Sequence, residues 1–204
     1  MIRKSNLVGK NKEELIRKYL EENNLVESDI YVIENSTEGK LFTSKKVSMD
    51  IIQKSDIIKF IKEYFLELSK LMNLEINVEV RENEDIYNIL LVSNNNAILI
   101  GKDGRTLDAL QTLIRQSINN QTTLKLKLNL DASNYKAKKN KNLEYEVKRI
   151  AREVLKTKID VKLDPMTSFE RRIVHNVVNE FDNLTTESIG ETPNRYVMIK
   201  YEED

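Results

Sequence analysis

Along this 204-residue chain, stretches with apolar residues three and four apart alternate with stretches of period two, a mixture that predicts an α+β protein. Leu15, Ile16, Tyr19 and Leu20 give a helical stripe, Asp29 to Ile33 reads as a strand, and a turn at Glu38-Gly39-Lys40 leads to a second short strand, Leu41 to Val47. Together these make a module over residues 1–48, small for an independent domain. Two readings are open for it: a partner completes its apolar faces, or it is a marginal module on a polar tether near Gln53-Lys54-Ser55.

A strong helix follows from Asp56 to Met72, in which Ile57, Ile58, Phe60, Ile61, Tyr64, Phe65, Leu68 and Leu71 leave few polar positions. Glu75 to Val80 alternates with period two, Arg81 to Asp85 turns, and Ile86 to Val92 returns. The apolar run Ala97 to Ile100 is broken by Gly101-Lys102-Asp103-Gly104, after which Leu107, Leu110, Leu113 and Ile114 resume helical spacing. A last strand, Thr123 to Leu130, completes the order α-β-β-α-α-β over residues 56–131.

The remaining segment, 134–204, is entered through Asp131 to Lys141, basic and poor in apolar residues, which reads as a join between two domains. A helix from Leu143 to Leu155 follows, then a helix placing Ile173, Val174, Val177 and Val178 inward, and a strand within Thr192 to Lys200. Pro165 stands where the second of these helices is expected to begin.

The formal net charge is zero, but it is segregated: residues 1–96 carry −3, residues 97–172 carry +8 and residues 173–204 carry −5. A locally positive face attracts phosphate whatever the global charge. There is no cysteine, so no disulfide, and the start Met1 to Asn6 has no apolar signal core. The longest aliphatic runs are too short to cross a bilayer, and a soluble cytoplasmic protein is expected. One histidine, no cysteine and no Gly-x-x-x-x-Gly-Lys-Ser/Thr loop argue against an enzyme, a cofactor or a metal site.

Two glycines at the spacing of Gly101 and Gly104 let the backbone turn sharply between helices, so that amides and Lys102 can meet a sugar-phosphate backbone. With its flanking helices this resembles the GxxG loop of a KH domain, and the element order resembles the type II KH fold. That resemblance implies a groove for single-stranded nucleic acid, with Gly101, Lys102, Asp103 and Gly104 as the loop and Arg105 beside it. Ile98, Ile100 and Leu107 are then candidate groove lining, or equally plain core. Asp103 departs from the usual pattern, because a carboxylate repels phosphate; it would point outward or cap the following helix.

Tyr135 among Lys136, Lys138, Lys139 and Lys141 combines a stacking ring with phosphate-binding cations; packing of Tyr135 on the sheet is the other reading. Further on, Leu163-Asp164-Pro165-Met166-Thr167-Ser168-Phe169-Glu170-Arg171-Arg172-Ile173-Val174-His175 is similar to the R3H signature. Arg171 and His175, four apart on a helix, share a face and can grip one phosphate or base, with Arg172 and Arg195 nearby; a purely structural His175 is the alternative.

KH followed at once by R3H, behind a small N-terminal module, resembles the bacterial Jag family, also called KhpB or EloR. The chain then reads as a Jag-N-like α/β module (1–48), a type II KH domain (56–131) and an R3H domain with a leading helix (134–204). The glycine-rich turn of the Jag N-terminal domain is reduced here to Glu38-Gly39-Lys40-Leu41-Phe42. Membership implies a cytoplasmic binder of single-stranded RNA, with single-stranded DNA open on the motifs alone. It also implies a small single-KH partner and a link to cell elongation and envelope growth. The rival reading is a protein-protein adaptor, favoured by Asp103 and the zero net charge.

Overall fold

The computed structural model describes residues 1–35 and 46–203. The chain divides into two compact units, Met1–Ser133 and Asn134–Asp204.

The first unit opens with strand β1 (Ser5–Gly9), helix α1 (Lys12–Asn23), strand β2 (Ile30–Asn35) and strand β3 (Val47–Gln53). β3 lies in the middle, antiparallel to both neighbours. Asn11 caps α1 by accepting the amides of Glu13 and Glu14, and Tyr19 packs with Ile30 and Ile51. The expected turn at Glu38-Gly39-Lys40 and the strand positions before Lys46 lie outside the described residues.

The expected tether is corrected. Gln53 ends β3, and Lys54 and Ser55 begin helix α2 (Lys54–Met72) without a gap. Their polar groups have partners within the unit: Gln53 Nε2 donates to Tyr19 Oη (3.0 Å), Ser55 Oγ donates to Gln53 Oε1 (3.2 Å), and Lys54 reaches two carboxylates. Ile51 and Ile52, on opposite faces of β3, are both buried, so this strand is covered on both sides within the same unit.

After α2 come β4 (Ile76–Asn83), β5 (Ile86–Ser93), α3 (Asn96–Ile100), α4 (Arg105–Thr122) and β6 (Lys127–Ala132). The predicted order α-β-β-α-α-β is therefore present, in a sheet ordered β4-β5-β6 with β5 and β6 parallel. The hairpin turn is tighter than Arg81 to Asp85: β4 stays paired to Asn83, and Glu84 and Asp85 turn at positive φ. The last strand starts at Lys127, not Thr123, because Thr123 ends α4 in the left-handed region (φ 63°). Ile57, Ile61 and Phe65 of α2 and Leu107, Leu110, Ile114 and Ile118 of α4 are buried, with α2 against β4 and α4 against β6.

Polar bonds join the two halves of this unit. Tyr31 Oη of β2 lies 3.2 Å from Asp85 Oδ1 and 3.3 Å from Tyr87 Oη, while Lys54 Nζ is 2.9 Å from Glu82 Oε1 and 2.8 Å from Asp85 Oδ1. Hydrogen bonding to Asp85 raises the Lys54 pKa well above its ordinary value, and burial raises that of Tyr87. At the chain start the Ile2 amide donates to Gln121 Oε1 of α4 at 2.9 Å.

The second unit contains α5 (Tyr135–Thr157), β7 (Val161–Lys162), α6 (Ser168–Val178), β8 (Leu184–Ile189) and β9 (Tyr196–Tyr201). Its sheet runs β7-β9-β8, antiparallel throughout. Val147 and Val154 of α5, Val174, Val177 and Val178 of α6, and Val197 and Ile199 of β9 share one core. The basic stretch expected as a join is the start of α5 from Tyr135 onward, since lysines propagate a helix readily. α6 begins at Ser168 behind the cap Thr167, so Pro165 precedes the helix instead of opening it. β8 was not expected, because Leu184-Thr185-Thr186-Glu187-Ser188-Ile189 has too few apolar residues to signal a strand.

Candidate nucleic-acid interface

Three of the four loop residues between α3 and α4 occupy the left-handed half of backbone space: Gly101 (φ 68°), Asp103 (φ 57°) and Gly104 (φ 87°). At Gly101 space as well as conformation requires glycine, since an added Cβ would stand 2.1 Å from Thr106 Oγ1. Gly104 is buried and serves as the N-cap of α4 with no side-chain cap. Gly104 itself brings no side chain to the amide end of α4, and a helix N-terminus of this kind is suited to an anion.

Lys102, Asp103 and Arg105 are exposed around that end. Gly104 holds the N-cap position of α4, and Asp103 stands directly before it at positive φ. Ile98 is 46% exposed and Ile100 half-buried, both next to the loop. Leu107 is 1% exposed and belongs to the core, so it is removed from the candidate lining. At the first turn of an amphipathic helix, groove and core positions share one spacing, and only burial separates them.

In the second unit a capping box starts α6: Thr167 Oγ1 accepts the Glu170 amide at 3.3 Å, and Glu170 Oε2 accepts the Thr167 amide at 2.9 Å. Burial opposes ionisation of Glu170, but the Lys139 ammonium at 2.8 Å and the Thr167 bonds outweigh it and hold the carboxyl below its ordinary value. The helix start is thereby fixed, and with it the direction in which Arg171 and His175 project.

Arg171 is partly buried, and its Nη1 donates to the Met166 carbonyl at 3.0 Å; the Met166 amide in turn donates to the Arg195 carbonyl at 3.0 Å. The backbone before α6 thus ties Arg171 to the segment carrying Arg195, whose side chain, like that of Arg172, is exposed. His175 is held at both ring nitrogens: Nδ1 lies 2.6 Å from Thr186 Oγ1, and Nε2 lies 2.9 Å from Ser188 Oγ. Burial lowers the imidazole pKa, and the positive charge of Arg171 lowers it further, so both favour the neutral ring. A neutral ring has one N–H donor and one acceptor nitrogen, and hydroxyls can complement either. The partners of the His175 ring are thus two side-chain hydroxyls.

Thr186 and Ser188 escaped the sequence analysis. Their spacing of two in a strand puts both hydroxyls on one face, a signal that carries meaning only once β8 is known to lie beside α6. Among the described residues no group of histidine, cysteine and carboxylate side chains could hold a metal ion, and no helix is long and apolar enough to cross a membrane.

Comparison with known proteins matches residues 58–130 to the KhpA/KhpB KH domain model and residues 141–201 to the R3H domain model. The chain is 32% identical over 199 residues to the RNA-binding protein KhpB of Bacillus subtilis, covering 95% of this chain and 96% of that protein. The chain belongs to the KhpB family. It is also 37% identical over 142 residues to KhpB of Clostridium symbiosum, covering 70% of this chain and 63% of that relative. Against KhpB of Streptococcus pneumoniae D39 the identity is 28% over 131 residues, 64% of this chain and 40% of the longer relative. The KH and R3H domains of this KhpB-family chain are thus the two regions around which the candidate site residues fall.

Proposed function

We propose that this KhpB-family chain binds single-stranded RNA without catalysing a reaction. The KH loop Gly101–Gly104, with Lys102 and Arg105, takes the sugar-phosphate backbone, and Arg171, Arg172, His175 and Arg195 take a phosphate or base at the R3H domain. The observation that carries this reading is the loop: two glycines at positive φ leading into the helix start at Gly104, beside the exposed cations Lys102 and Arg105. The relatives' name, RNA-binding protein KhpB, supports the choice of ligand. Single-stranded DNA fits the same groups, because nothing in the loop addresses a 2′-hydroxyl.

The finer reading is a cytoplasmic post-transcriptional regulator working with a small single-KH protein and linked to cell elongation and envelope growth. Its support is family membership.

The test is fluorescence anisotropy of a labelled mixed-sequence RNA of about 20 nucleotides at low and physiological salt. The intact protein is compared with Lys102→Asp/Arg105→Ala/Arg172→Ala, three exposed positions outside the buried core. Salt-sensitive binding that the variant loses supports the reading. Equal binding by the variant rejects these sites, and absence of binding by the intact protein at both salts favours the adaptor.

A further inference from the structure

α5 carries eight basic and three acidic residues along its 23 positions, and the basic ones are not evenly spread. At about 100° per residue, Lys138, Lys141, Tyr145, Arg149, Arg152 and Lys156 fall within an arc of about 80°. All six are exposed, whereas Glu144, Glu146 and Glu153 fall outside that arc. The stripe is about 27 Å long at 1.5 Å per residue.

The five cations of the stripe form no ion pair among the described residues. Lysines on the flanks behave differently: Lys139 pairs with Glu170 and Lys148 with Glu180, each at 2.8 Å, both partners being contributed by the α6 side of the unit. The helix thus satisfies the cations that face its own domain and leaves a line of unneutralised charge facing out. In the middle of that line stands Tyr145, 63% exposed, with Lys141 Nζ 5.8 Å from its ring centroid.

We propose that this face of α5 is a second nucleic-acid-binding surface, separate from the GxxG loop and the Arg171–His175 pair. The phosphates of a single-stranded RNA would run along the cations while one base stacks on Tyr145. This rests on the reading of the chain as an RNA binder and adds a surface to it. Cations interleaved with an exposed aromatic ring match what a single strand offers, a charged backbone with stackable faces. An anionic membrane is the poorer match: the opposite side of α5, with Val147 and Val154, is committed to the core, leaving no apolar face to insert. The sequence pointed to Tyr135 as the stacking ring; Tyr135 is half-buried, and the exposed ring is Tyr145, ten residues further along the helix.

The experiment titrates the same labelled 20-nucleotide RNA into the full chain, into Arg149→Gln/Arg152→Gln/Lys156→Gln, and into Tyr145→Ala and Tyr145→Phe, over a range of salt. Three lost phosphate contacts lower the slope of log affinity against log salt by about two and weaken binding at least about tenfold at physiological salt. Tyr145→Ala weakens binding about fivefold or more and Tyr145→Phe restores it, because the ring and not the hydroxyl stacks. If the triple variant melts early, Lys138→Gln/Lys141→Gln tests the other half of the stripe. Unchanged affinity and slope in these charge variants, with the Lys102/Arg105/Arg172 variant still impaired, overturns the α5 surface while the RNA reading stands. Failure of the intact chain to bind RNA overturns both. Loss of binding only to phosphatidylglycerol vesicles or to poly-glutamate, with RNA binding unaffected, assigns the stripe to a different partner and overturns the proposal.

Discussion

Gly101 and Thr106 are mutually exclusive with a larger loop residue: the space in which a Cβ of residue 101 would sit is already filled, 2.1 Å away, by Thr106 Oγ1 and, 2.8 Å away, by Thr106 Cβ. The KH loop is therefore closed from inside by the first turn of the helix it precedes. Its shape depends on packing as much as on glycine's backbone freedom.

Gly101→Ala is predicted to cost about 1–3 kcal/mol, the sum of left-handed strain and the clash with Thr106. Thr106→Ala alone costs little, and the double variant recovers part of the loss, because the nearest clashing atom is gone while the φ of 68° stays unfavourable. Urea denaturation of the four proteins measures this coupling. Strictly additive losses would show that Thr106 does not set the constraint.

His175 gives a pH prediction with a definite sign. Its folded-state pKa is lowered by burial and by Arg171, so near the unfolded value of about 6.5 the unfolded chain binds more protons than the folded one. The contribution of this group to stability is full above that value. It is lost progressively as pH falls from there through the lower folded pKa. Being the chain's single histidine, its ring proton resonances can be followed without assignment during an NMR titration. A midpoint above the unfolded value would contradict the burial argument.

Thr186→Val removes a hydroxyl 2.6 Å from His175 Nδ1 at nearly constant volume, and Ser188→Ala does the same at Nε2. Each is predicted to cost about 1 kcal/mol of stability, with RNA affinity reduced because the ring loses its fixed orientation. His175→Ala is expected to destabilise as well as weaken binding, since it strips both hydroxyls of their partner at once. Thermal melts read alongside the RNA titration separate the two effects.

Lys54 ties the start of α2 to Glu82 and Asp85, and its side chain is only 17% exposed. Lys54→Met leaves Glu82, 22% exposed, beside Asp85 without their shared cation. A loss of about 1–3 kcal/mol is expected, discounted toward the lower end because Asp85 is 67% exposed. Adding Glu82→Gln should restore part of it. Chemical denaturation of the two variants against the parent decides this, and equal stability of Lys54→Met and the parent would remove the clamp from the account.

The turn at Gly101 and Gly104 and the helix carrying Arg171 and His175 were legible because strong helical periodicity flanks the one and runs through the other. The element order of the KH half followed from clean changes of period, such as Glu75 to Val80 against Leu107 to Ile114. Where period and polarity disagreed, the reading slipped. Gln53, Lys54 and Ser55 looked like a tether because their partners, Tyr19, Glu82 and Asp85, lie roughly 30 residues away on either side. Leu184 to Ile189 carries no strand signal in the sequence, because a strand of short polar residues has little apolar pattern.

What the sequence by itself determined is local: helix stripes, turn chemistry at Gly101 and Gly104, and the i, i+4 spacing of Arg171 and His175 on one helix, all set by neighbours within a few residues. Tertiary structure alone decided which side of each helix stayed wet. It buried Leu107 while leaving Ile98 exposed, paired Lys139 with Glu170 and Lys148 with Glu180 while giving Arg149 and Arg152 no ion pair among the described residues, and set His175 between two hydroxyls of a strand that begins nine residues later. The physical reason is that burial and charge compensation depend on what packs against a side chain, and those partners are brought by folding from positions that sequence spacing does not relate.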